Sequence, residues 1–89
     1  MNAKDRKELQ KAIDLLTEVS SKYAEARDIV SEIGEQEQEK FDNLSEGLQQ
    51  AERGQLLEQA ASALSEVHSS MEQVDIDDLI VEIENAMNG

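Results

Sequence analysis

The sequence predicts an all-α protein: a long antiparallel helical hairpin followed by a short third helix, coiled-coil-like in its spacing. Three observations carry that fold class. Proline is absent from all 89 residues, strong helix formers (Ala, Leu, Glu, Gln, Lys) dominate, and no β-branched run interrupts them. Apolar residues recur at alternating intervals of three and four, the period of one helix face. Turn and cap residues then divide the chain into segments.

The first helix is predicted over about residues 4–33. Leu9, Ala12, Leu16, Val19, Tyr23, Ala26, Val30 and Ile33 form its seam, which Ile13, Leu15 and Ile29 widen. A widened seam suits packing against more than one helix rather than a strict two-stranded coiled coil. Leu9, Leu16, Val19, Tyr23, Val30 and Ile33 are therefore the candidate self-association seam. Gly34 is read as the stop, because glycine enters the left-handed conformation at little cost.

Residues 34–45 form the connection. Phe41, Leu44, Leu48 and Ala51 keep a helical spacing, whereas Asp42-Asn43 and Gly47 favour turns. The stretch reads either as a loop whose Phe41 and Leu44 plug one end of the hairpin, or as a short helix of its own over 35–44. Ser45 is placed as an N-cap, its hydroxyl satisfying free amides of the next helix.

The second long helix is predicted over about 46–73, with Leu57, Ala60, Leu64, Val67, Met71 and Val74 as its seam. This seam is out of register with the Phe41-to-Ala51 set, so a kink or a skipped phase is expected at Arg53-Gly54. Asp75 then reads as a cap, with Asp78 three residues on and Val74 and Leu79 placed as a hydrophobic staple. Asp77 and Asp78 suit the positive end of the helix dipole. Ile76, Leu79, Ile80, Ile83 and Met87 give the third helix, about residues 76–87, an apolar face with which to close over the open side of the hairpin.

Eighty-nine residues make one domain at most, and a chain this short buries only about 60–65 % of its unfolded surface. Its aromatic residues are Tyr23 and Phe41 alone, and it has no cysteine to staple a thin core. Small domains of this kind gain area by self-association, so a homodimer forming a larger bundle is expected. No apolar run exceeds Leu79–Val81, which argues against a signal peptide, a membrane span and a membrane partner. Together with the absence of cysteine, this points to the cytoplasm.

Charge is the feature with functional content. Residues 1–27 hold six basic and five acidic side chains; residues 28–89 hold two basic (Lys40, Arg53) and sixteen acidic, giving −13 overall. Direct nucleic-acid binding is opposed by that sign, while a basic protein is attracted. Glu35, Glu37, Glu39 and Asp42 cluster in the connection, Glu46, Glu52, Glu58, Glu66 and Glu72 run down the second long helix, and Asp75, Asp77, Asp78, Glu82 and Glu84 mark the third. Carboxylates arrayed along a rigid helix can imitate phosphates and occupy a basic groove, with fast, salt-dependent association. The competing reading is a solvated face that keeps a small bundle soluble.

Catalytic chemistry finds no foothold. His68 is the single histidine, near Ser65, Ser69, Ser70 and Glu72, and nothing around it suggests an oxyanion hole or pocket. Asp75-Ile76-Asp77-Asp78 opens like a calcium loop, but Ile80 and Ala86 stand where that loop needs Gly and Glu. Ser65, not Glu, stands three before His68, so the pair used by di-iron bundles is missing. No enzyme activity, metal or cofactor is expected.

Glu39-Lys40-Phe41-Asp42-Asn43-Leu44-Ser45-Glu46-Gly47-Leu48-Gln49, followed by Glu52-Arg53-Gly54, resembles a segment of small acidic helical proteins of bacteriophages and prophages. In those proteins Pro often replaces Ser45, which is consistent with a helix start there. The resemblance implies a genomic setting rather than an activity, since most such proteins have no assigned function. Phages encode many short proteins that block host nucleases, CRISPR effectors or transcription factors, and acidic mimicry of nucleic acid recurs among them. In that setting an inhibitor of a basic, nucleic-acid-binding host protein, acting in the host bacterium's cytoplasm, stands level with a structural role. The alternative is a structural or assembly module, in which the Leu9-to-Ile33 seam is the functional surface.

Overall fold

A computed structural model describes residues 1–89. Helices hold nearly the whole chain, with no strand: α1 (Ala3–Asp42), α2 (Glu46–Gln50), α3 (Glu52–Glu72) and α4 (Ile76–Asn88). The packing gathers into two compact units, one of residues 1–25 with 74–89 and one of residues 26–73. The all-α class holds; the helix boundaries differ from expectation in three places, each for a local reason.

The expected stop at Gly34 does not occur, and α1 runs on through Asp42 in place of the connection. No glycine in the chain has a positive φ. Gly34 serves packing instead: a Cβ built on it would stand 3.3 Å from the Leu64 Cβ. Glu35 to Lys40 are good helix formers and carry the helix onward. It ends where Asn43 N–H donates to the Glu39 carbonyl (3.0 Å) and Leu44 N–H to the Phe41 carbonyl (3.1 Å). At the other end, Asn2 Oδ1 accepts from Asp5 N–H at 2.8 Å, a cap that starts the helix at Ala3.

Ser45 does precede a helix, but its hydroxyl makes no capping bond. Its backbone carbonyl accepts from Gln49 N–H at 2.9 Å. Gln49 Nε2 donates in turn to the Phe41 carbonyl at 3.1 Å, a second bond to the acceptor at the end of α1 that Leu44 N–H also reaches.

The expected kink appears as a full break, centred on Ala51 rather than Arg53-Gly54. Ala51 is extended (φ −75, ψ 166) and divides the predicted 46–73 helix into α2 and α3. Gly54 is buried where the last turn of α2 crosses the first turn of α3. A Cβ there would overlap the Leu48 carbonyl oxygen and stand 2.5 Å from that of Gln49. The phase slip in the sequence is therefore real, and the glycine lies beside the break as its clearance.

In the first unit, Ile13 and Ile80 are the buried apolar pair. Ser20 Oγ donates to Asp77 Oδ1 at 2.8 Å. Gln10 and Ile13 share a groove with Glu84, Met87 and Asn88, so α4 runs antiparallel to residues 3–25 of α1. The expected short third helix is thus present and packs along this part of α1. Asp75 caps it as the sequence predicts, accepting from Asp78 N–H at 3.0 Å. Val74 and Leu79, the expected staple, are both exposed.

Candidate functional site

The second unit holds the longest stretch of lone carboxylates. It has three basic residues (Arg27, Lys40, Arg53) against eleven acidic ones, a net charge of −8 in 48 residues. Its two main elements are residues 26–42 of α1 and the whole of α3. The Gln49 bond to Phe41 places the start of α3 near the end of α1, and Gly34 meets Leu64. The helix α3 therefore runs back along α1.

Three adjacent heptad rows on each helix describe the unit. Successive residues turn about 100° around a helix, and residues seven apart nearly superimpose. The packed rows are Arg27–Gly34–Phe41 on α1 and Leu57–Leu64–Met71 on α3, and all six residues are half-buried. One residue after each comes a polar row: Asp28–Glu35–Asp42 and Glu58–Ser65–Glu72, all exposed. Equal turns along antiparallel helices bring both polar rows to the same side of the pair.

That side is a groove of about 350 Å³, lined by Ser31, Gly34, Glu35 and Gln38 from α1 and by Ala61, Leu64, Ser65 and His68 from α3, with Val30 at its floor. The small residues Gly34 and Ala61 form its base, Ala61 being buried. Carboxylates of one rim repeat about every 10 Å, seven residues at 1.5 Å each. Their hydrogen bonds are few. Gln38 Nε2 donates to Asp42 Oδ1 at 2.9 Å, and His68 Nε2 lies 3.5 Å from Glu72 Oε1. None of Asp28, Glu35, Asp42, Glu58 or Glu72 has a Lys or Arg within 4.0 Å. Arg27, half-buried in the packed row, is the basic residue nearest in register.

Of the fourteen carboxylates singled out in the sequence, Glu35 lines the groove itself, while Asp42, Glu58 and Glu72 stand in the exposed polar rows on the same side of the helix pair. Residues two apart diverge by about 200° on a helix and residues four apart by only about 40°, so of Glu35, Glu37 and Glu39, expected to cluster in a connection, Glu35 and Glu39 share a side of α1 and Glu37 points away from them. Glu37 is half-buried and paired with Lys40 at 3.1 Å. Glu66 shares a shallow surface of α3 with Glu58, Gln59 and Ser62 outside that lining, while Glu46 belongs to α2 and Glu52 to the first turn of α3. Asp75, Asp77, Asp78, Glu82 and Glu84 all belong to the first unit, where Asp75 caps α4 and Asp77 holds Ser20. Asp28 escaped the sequence reading, although its seven-residue interval to Glu35 and Asp42 was the available signal.

The self-association seam divides likewise. Leu9, Leu16, Tyr23 and Val30 are half-buried within the chain, whereas Val19 and Ile33 are exposed. No three His, Cys, Asp or Glu side chains converge as a metal site would require. No helix is long and apolar enough to cross a membrane.

Compared with known proteins, the chain matches no family model, no curated protein and no solved structure.

Proposed function

We propose that this chain is an accessory protein of a phage or mobile element that binds a basic, nucleic-acid-binding host protein and inhibits it by occupying its Lys/Arg-lined groove. The host target belongs to the class of CRISPR effectors, nucleases or regulators. The observation that carries the reading is the pair of facing carboxylate rows, Asp28–Glu35–Asp42 and Glu58–Ser65–Glu72, with no Lys or Arg paired to any of them.

The physics favours a partner of opposite sign. An unpaired carboxylate keeps its full field toward solvent, and several along one rigid groove add to a potential that steers a cationic surface inward. A merely solubilising charge would be served equally well by carboxylates spread evenly around the helices. Here the rows on the opposite side of the same two helices, Ala26–Ile33–Lys40 and Leu56–Ala63–Ser70, contain no carboxylate. The segregation of charge is what separates the binding reading from the solubility reading.

The test is capture from a bacterial lysate at low and at high salt, followed by competition with duplex DNA. A nucleic-acid-binding protein retained at low salt, released at high salt and displaced by DNA is the expected result. Retention of no such protein at low salt overturns the proposal.

A further inference from the structure

The side of the second unit opposite the acidic groove is apolar and uncovered. Its rows lie one residue before the packed rows: Ala26–Ile33–Lys40 on α1 and Leu56–Ala63–Ser70 on α3, all exposed. Ile29 and Val67 stand beside them. Ile29 is 56 % exposed, Ile33 41 %, Leu56 59 % and Val67 46 %. Because the helices run antiparallel, equal turns of about 100° place both rows on one side, as with the polar rows on the other.

We infer that this face is the interface with a second copy of the chain, closing two helix pairs into a four-helix bundle. Three observations select that occupant. First, each helix of a four-helix bundle touches two neighbours and needs two apolar stripes roughly a quarter-turn apart. Both α1 and α3 have that spacing between packed and open rows, and one hairpin supplies half of such a bundle. An identical hairpin related by a two-fold axis supplies the other half with the same two rows.

Second, the chain carries 21 carboxylates and yet none lies in the open rows. The nearest, Glu37, is held by Lys40 at 3.1 Å. A chain of net charge −13 can approach its own copy only through such a face. A strongly basic partner would gain nothing there.

Third, the area is of the right order. The 21 residues of α3 rise about 30 Å, and two helices about 10 Å apart present a face of roughly 600 Å², close to the ~800 Å² per partner of a standard interface. The acidic grooves would remain uncovered on the two outer sides of the dimer. The inference does not rest on what those grooves bind.

Light scattering on a sizing column tests it. The wild-type chain is expected at twice its 9.9 kDa mass. Ile33→Glu and Val67→Lys each place a charge on an exposed side chain, so each is expected to halve the mass while the helical circular dichroism stays unchanged. Should Ile33→Glu lose helix, Val67→Lys on the other helix decides. Glu58→Lys with Glu72→Lys, on the groove side, is expected to leave the mass at two chains. A wild-type mass of one chain at every concentration, a mass of three or more, or two-chain mass in both folded variants would overturn the inference. Under the first outcome a partner of different sequence covers the face.

Discussion

Leu64 lies against the backbone of Gly34 so closely that a Cβ on the glycine would stand 3.3 Å from the Leu64 Cβ. Glycine in a helix interior costs about 1 kcal/mol relative to alanine, and here that cost is offset by the approach of α3 to α1 at the base of the acidic groove. Gly34→Ala sets the propensity gain against a displacement of Leu64 by a few tenths of an ångström, so its net effect on urea unfolding is expected within about 1 kcal/mol of zero. Gly34→Leu cannot be accommodated by so small a shift. It is expected to destabilise the chain by about 1–3 kcal/mol, and an unchanged denaturation midpoint would show that the helices do not meet there.

Gly54 differs because its neighbours are backbone atoms. An added methyl group would meet the carbonyl oxygens of Leu48 and Gln49, which belong to the turn that α2 forms before the Ala51 break. Although alanine is the better helix former, Gly54→Ala is expected to lower stability by about 1–3 kcal/mol, or to release α2 from α3. Thermal melting checks this: 1 kcal/mol corresponds to a fall of about 4–8 °C for a chain of this size.

Asp75 holds the first turn of α4 through the amide of Asp78. Asp75→Ala removes that acceptor and is expected to cost about 1 kcal/mol, whereas Asp75→Asn keeps a capping oxygen and is expected to recover most of it. Equal losses in the two variants, measured by urea unfolding, would mean that charge near the helix dipole outweighs the cap.

Much of this fold was legible in the sequence because its signals were local. The Asp75 cap and the start of α4 follow from four consecutive residues, and the helical period of α1 and α3 from their apolar spacing. Gly34 misled because a glycine that ends a helix and one that admits a neighbouring helix look alike until the neighbour is placed. The Phe41-to-Ala51 phase slip announced a break, but whether Ala51 or Gly54 would take the extended conformation depended on how α2 packs back onto α3. Ser45 marked a helix start for the wrong reason, its carbonyl acting where its hydroxyl was expected. The acidic groove was half legible: Glu35, Asp42, Glu58 and Glu72 were singled out among many carboxylates. Reading Asp28–Glu35–Asp42 and Glu58–Ser65–Glu72 as seven-residue rows required knowing that residues 34–42 remain helical.

Displacement of nucleic acid from a captured host protein tests the binding proposal most directly. The chain is expected to release a labelled duplex from that protein, with potency falling steeply as salt is raised, since screening shortens the reach of exposed charge to about 10 Å at 0.1 M. The triple variant Glu35→Lys, Glu58→Lys, Glu72→Lys is expected to lose displacement. Glu46→Lys, Glu82→Lys, Glu84→Lys, on α2 and α4, changes the net charge by the same amount away from the groove and is expected to retain most of it. Equal loss in both triples would contradict a groove-centred site and leave only diffuse charge. Undiminished displacement by the groove triple would contradict the role of these carboxylates altogether.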